Sequence, residues 1–282
     1  MALEAPLVRA RPRRTARKSP FTARAILKGS AWKVLAVLVL LIGLWHLWAA
    51  SEAHKGLGFL VPYPHQVWQL GFEDSQSRSQ LAQALWNSVQ VTFVGLAIAI
   101  VIGVVWAMVM AQASWAEQAL FPYAVVLQCI PILALVPLIG ALAGFGFEPR
   151  VIVTVMIALF PMVSNTLFGL QSVERGQREL FELSGAGRLT VLRKLQMPAA
   201  MPSIFVGLRT SAGLSVIGAI VGDQFFQRGT PGLGALIQVD QSRLLGPQMW
   251  AAIFTASALG VAIFLVFGLL GRLSVGRWHD FS

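Results

Sequence analysis

The densest run of ionisable side chains past residue 33 lies between Val173 and Met201: Glu174, Glu179 and Glu182 with Arg175, Arg178, Arg188, Arg193 and Lys194. Opposite charges stand four residues apart at Glu174/Arg178, Arg175/Glu179 and Arg178/Glu182, the spacing at which side chains meet on one helix face. Leu180 and Leu183 give the same segment an apolar side. Gly185-Ala186-Gly187 breaks this helix, and Leu189, Leu192 and Leu195 restart one opposite Arg188, Arg193 and Lys194. Pro198 is expected to end the second helix, because proline lacks a donor and crowds the preceding turn. Hydrocarbon does not accept such a density of charge, so the stretch reads as an aqueous helix–turn–helix knuckle.

Other chemistry is missing. No Gly-x-x-x-x-Gly-Lys-Ser/Thr loop occurs, so the chain has no such cradle for nucleotide phosphates. A Gly-x-Ser-x-Gly elbow is absent, since Gly213-Leu214-Ser215-Val216-Ile217 lacks the second glycine. His46, His54, His65 and His279 are too scattered to share a metal. The single cysteine, Cys129, lies in an apolar run, which leaves no disulfide or thiolate site. It is expected to pack as a small hydrophobe. Within the apolar spans below, no acid or histidine stands away from the ends of spans two, three, four and six, as proton coupling would require. Any work must therefore be supplied from outside the chain.

The elements that position the knuckle are membrane helices. Of 282 residues, 56% are hydrophobic and 12% charged, against roughly 25% charged in a soluble domain. Span one is expected over about Ala31–Ala50, span two over Leu85–Gln112 and span three over Glu117–Leu142 with Pro122, Pro131 and Pro137 inside it. Spans four, five and six follow at about Arg150–Ser172, Pro202–Gly222 and Gln248–Gly271. Residues 51–84 and 224–247 read as polar outer segments. Arg13-Arg14 and Ala49-Ala50-Ser51 imitate a secretory signal, but the basic tail is too long, and an uncleaved first helix is expected.

The net charge of +10 reflects membrane topology rather than nucleic-acid binding. Nine of the 22 Lys/Arg residues precede or open span one, with Glu4 the only acid among them. Sixteen fall on the side of the tail, the knuckle and the carboxyl terminus, and Lys55, Arg78, Arg150, Arg228 and Arg243 on the other. That bias places both termini and the knuckle in the cytoplasm. The organisation is thus a basic tail (1–30), a six-span domain (31–272, knuckle 173–201) and a short tail (273–282).

Glu179, then Gly185-Ala186-Gly187, then Met197-Pro198 resembles the EAA signature of type I ABC importer permeases, with Leu180 and Phe181 in place of its alanines. Phe59 to Val67 and Gly229-Thr230-Pro231-Gly232-Leu233-Gly234 resemble segments of the nitrate/sulfonate/taurine branch. The resemblance implies an all-α permease of the bacterial inner membrane and no enzymatic activity of its own. Its knuckle would dock as a coupling helix on a separate ATPase that binds ATP and Mg, through Glu179, Glu182, Gly185, Ala186, Gly187, Arg188 and Pro198. The implied partners are two ATPase subunits, a second permease (a homodimer) and a periplasmic or lipid-anchored binding protein. No cofactor is expected on the chain itself. A nitrate-, sulfonate-, taurine- or bicarbonate-like anion is the implied solute, with a vitamin or pyrimidine precursor as alternative. A secondary carrier or channel without an ATPase is the rival class.

Gln128, Asn165, Ser211 and Ser215 are the mid-span polar groups available to a translocation path, and each also fits an interhelical hydrogen bond. Arg209, roughly 10 Å into span five, reads as a snorkelling side chain, a cytoplasmic-gate residue or an anion contact. Asp223, at the far end of span five, reads as a solvated end residue or a gate. Gly140/Gly144 and Gly218/Gly222 have the spacing of close helix packing.

Overall fold

A computed structural model describes residues 23–275. The calls on the tail before residue 23, and on Arg277, lie outside them. Contacts divide the chain after Trp48. The first helix, α1 (Ala23–His54), carries exposed apolar side chains from Val34 to Leu47.

In the second unit, Pro64 opens the short α2 (Pro64–Val67), which runs into a π-helical turn, Trp68–Glu73. Asp74 then caps α3 (Ser75–Met110) by accepting from the Ser77 amide at 2.8 Å. That bond holds the Asp74 carboxyl below the usual carboxylate range. A good cap explains why α3 begins ten residues before the apolar run, inside the segment expected to be a polar loop. Next come α4 (Ser114–Cys129), α5 (Ile132–Ala143) and α6 (Phe147–Gln171). The knuckle is α7 (Arg175–Leu183) and α8 (Arg188–Val191), followed by α9 (Met197–Phe225), α10 (Leu233–Ser242) and α11 (Gly246–Val275). Among the described residues there is no strand.

Five helices are long and apolar enough to cross a membrane, and α4 with α5 makes the sixth when counted as one span. Span three, whose internal prolines predict a kink, is thus a broken helix. The pair bends by 96° at Ile130-Pro131, where Ile130 is extended (ψ 125°), as the residue before a proline tends to be. Pro122 and Pro137 are accommodated inside their helices. Pro198 also departs from expectation. It lies two residues past the π-helical turn Leu192–Gln196, the kind of local adjustment by which a continuing membrane helix accommodates a proline. The π-helical turn Leu192–Gln196 joins α8 to α9, so Arg188–Phe225 runs on for 38 residues.

The interior is a seam between antiparallel α6 and α9. A Cβ added at Gly207 would stand 3.0 Å from Asn165 Cβ, at Gly218 2.7 Å from Thr154 Cα, and at Gly222 2.9 Å from Arg150 Cα. Between them the Ser211 hydroxyl donates to the Ala158 carbonyl at 2.8 Å. Lipid supplies no hydrophobic drive between helices, so this close backbone approach is what generates contact. Gly140/Gly144 does something else. Gly140 makes room for the Phe145 ring, and Gly144 ends α5 at φ +76°. Leu159, Met162, Val163, Leu167 and Leu170 complete the α6 core against Ala200 and Ile204 of α9.

Candidate functional site

At one end of the bundle the knuckle is built around a single turn. The Ala186 amide donates to the Phe181 carbonyl at 3.0 Å and the Gly185 amide to Glu182 at 3.0 Å, the paired bonds of a Schellman cap. Gly185 takes φ +68°, which that cap demands and L side chains resist. Gly187 caps α8 in an extended conformation (φ −67°). Glu179, Glu182, Gly185, Gly187, Arg188 and Pro198 are exposed, and Ala186 is half-buried.

The three expected i,i+4 ion pairs of α7 do not form, whereas Lys55 pairs with Glu52 and Arg150 with Asp223 elsewhere in the chain. The reason for Arg178 is local: its Nη2 donates at 3.3 Å to the Leu170 carbonyl, an unpaired acceptor near the end of α6. Leu180, Leu183 and Leu189 are 66%, 88% and 74% exposed. The glutamates thus stay free of intrahelical partners beside three leucines that the chain itself leaves uncovered.

The opposite end holds a clamp that sequence reasoning missed. Arg150, 2% exposed, donates to the carbonyls of Phe226 (2.7 Å), Thr230 (2.9 Å) and Arg228 (3.0 Å), and to Asp223 Oδ1 at 3.3 Å. Asp223 is fully buried, not solvated, and takes a 2.5 Å hydrogen bond from Ser88 of α3. The Ser88 oxygen in turn accepts the Leu233 amide at 2.8 Å. One arginine therefore ties α6, α9 and the 226–230 turn, and Ser88 adds α3 and α10. Gly232 and Gly234 admit no side chain: a Cβ would collide with the Asp223 carboxylate at the first and the Ile220 carbonyl at the second. The signal available in sequence was two opposite charges, Arg150 and Asp223, at matching span ends.

Farther along α10, burial raises the Asp240 carboxyl from 3.8 to about 6, with Arg243 opposing. An acid whose folded pKa exceeds its unfolded value stabilises the fold only while protonated. The penalty is absent below about pH 4, grows between about 4 and 6, and is complete above that window. Asp240→Asn is expected to raise the melting temperature at pH 8 and leave it unchanged at pH 4. Equal shifts at both pH values would contradict the burial argument.

Between the two ends, α9, α10 and α11 enclose a groove of about 730 Å³. Leu214, Ile217, Val261 and Phe264 dominate its wall, and Thr210, Gln224 and Ser257 are its polar side chains. Ser211 and Ser215 face away from it, buried and bonded to the Ala158 and Ala212 carbonyls. Asn165 bonds the Pro161 carbonyl on α6. Gln128 and Cys129 are exposed at the end of α4, so Cys129 is not a packed hydrophobe. Arg209 does not snorkel freely: its guanidinium lies 3.9 Å over the Phe264 ring.

Residues 86–278 match the family described as binding-protein-dependent transport system inner membrane component. The riboflavin transport system permease protein of Chloroflexus aurantiacus is 37% identical over 60% of this chain and 62% of its own length. The formylaminopyrimidine transport permease protein of Halalkalibacterium halodurans is 33% identical over 76% and 84%. A nitrate import permease protein of Leptolyngbya laminosa is 28% identical over 93% and 91%. An amino acid ABC transporter crystal structure shares the fold at TM-score 0.54 and 20% identity, covering 72% of this chain and 95% of the other.

Proposed function

The chain belongs to the family of binding-protein-dependent transport system inner membrane components, and from that premise we propose that it is the pore-forming half of an ATP-driven importer whose knuckle is gripped by a separate ATPase. The observation that carries this reading is the uncovered row of Leu180, Leu183 and Leu189 beside unpaired Glu179 and Glu182 on a rigid, glycine-capped hairpin. An exposed apolar strip rimmed by charge is a protein-binding surface. The Lys/Arg bias supports a place for that strip on the cytoplasmic side, where ATP is.

Two such subunits, each carrying one knuckle, would be drawn together when the paired ATPases close on ATP. Because Arg188–Phe225 is one helix, a push on the knuckle tilts α9 and, through the glycine seam, α6. The path would then open toward the binding protein.

The groove favours a ring-bearing, weakly polar solute over a small hydrated anion. Its wall offers aliphatic side chains, one phenylalanine and three uncharged hydrogen-bonding groups, with no cation. Such a wall does not repay the dehydration of nitrate or bicarbonate, and it suits a vitamin or pyrimidine precursor. The anion reading rests on Arg209, which lines a separate cavity and not this groove.

The test is uptake by cells with and without the chain, supplied with labelled riboflavin, formylaminopyrimidine or nitrate. Loss of ATP-dependent uptake of a ring compound with nitrate uptake intact is expected. Loss of nitrate uptake alone would overturn the substrate class, and accumulation that survives ATP depletion would overturn the importer.

A further inference from the structure

At the knuckle end of α9 and α11 lies a cavity of about 120 Å³ lined by Phe205, Val206, Arg209, Phe267, Arg272 and the two glycines Gly268 and Gly271. It contains two cations and no acid. Among the described residues neither arginine is in an ion pair. Arg209 Nε is buried and has no hydrogen-bond partner. Stacking on Phe264 uses the face of the guanidinium and leaves its N–H edge unspent. Gly268 is what lets the group lie against α11: a Cβ there would stand 3.3 Å from Arg209 Nε.

A buried, unsatisfied Nε–H on one guanidinium beside a second arginine is costly without an anion. The volume suits one compact oxyanion, being room for about four waters at roughly 30 Å³ each. Arg272 directly follows the apolar run of α11 that closes with Leu269-Leu270-Gly271, the place where a span meets the headgroup layer. Val206, Leu270 and Leu273, exposed on the same two helices, supply apolar surface next to the charge. A ligand with a phosphate and adjoining acyl chains satisfies both features, whereas a free ion satisfies only the first.

We infer that Arg209 and Arg272 form a binding site for the phosphate of an anionic membrane lipid, seated between α9 and α11 at the knuckle end. Basic pockets between membrane helices hold headgroups by such charge-assisted hydrogen bonds. A lipid lodged there would brace the α9–α11 contact beside the base of the knuckle. The site does not depend on which solute is carried.

The test uses the full-length chain in detergent. It is titrated with dioleoylphosphatidylglycerol or with dioleoylglycerol, which has the same chains and no phosphate, and bound lipid is read by native mass spectrometry. Inorganic phosphate, followed by calorimetry, is the free-ion arm. One phosphatidylglycerol should be retained and dioleoylglycerol should not. Arg209→Gln and Arg272→Gln should each weaken retention about tenfold, the loss of one charge-assisted bond, and Arg209→Lys should recover part of it. Gly268→Val should block the site while keeping both charges. Inorganic phosphate binding as tightly as the lipid would support the oxyanion pocket and overturn its lipid source. The inference fails if the wild type retains no lipid and binds no phosphate. It fails equally if a double Gln variant with wild-type melting temperature retains the lipid unchanged.

Discussion

Gly185→Val is expected to abolish ATP-coupled uptake while leaving the chain inserted and folded. At φ +68° a β-branched side chain meets its own backbone, a strain of about 1–3 kcal/mol. The local structure relieves it by giving up the two Schellman bonds at Phe181 and Glu182. Nothing else packs on this turn, since a Cβ at Gly185 meets no atom within 4 Å. The damage therefore stays in the knuckle: α7 loses its fixed angle to α8. Gly185→Asn should recover a large share of function, because asparagine tolerates the left-handed conformation. Uptake together with retention of the ATPase on the purified complex is the measurement. Full uptake by the valine variant would remove the knuckle from the mechanism.

Asp223→Ala carries the largest expected cost in stability. It leaves the Arg150 charge, 2% exposed, with carbonyls alone, and breaking one side of a buried pair costs about 3–5 kcal/mol. It also strips Ser88 of its acceptor. Asp223→Asn keeps an oxygen for Ser88 and should lose less. Removing both charges, as Arg150→Met with Asp223→Leu, would restore a pair in most settings. Here it should restore little, because the carbonyls of Phe226, Arg228 and Thr230 would lose their donor. Thermal unfolding of the three variants in detergent ranks these outcomes. A double variant as stable as wild type would show that the carbonyl contacts contribute nothing.

Much of the importer reading was legible in the residues. The charge density of Val173–Met201 and the Gly185 hinge are local patterns, and the family match bears out the resemblance carried by Glu179, Gly185-Ala186-Gly187 and Met197-Pro198. The α7 ion pairs were the weak part of that reading. An exposed pair at four-residue spacing is worth only a few tenths of a kcal/mol, so Arg178 is free to take the Leu170 carbonyl instead.

Local sequence determined which segments enter a membrane, where the hairpin turns and why that turn needs glycine, because hydropathy, charge and backbone sterics act over a few residues. Only tertiary structure decided that Arg150 meets Asp223 across 73 residues, that Gly218 and Gly222 face Thr154 and Arg150, and that α9 turns Ser211 into the seam while Thr210 faces the groove. The physical reason is that a polar residue in a span has several affordable partners. Which one it takes depends on the rotation of each helix, and that rotation is set by packing summed over the whole bundle.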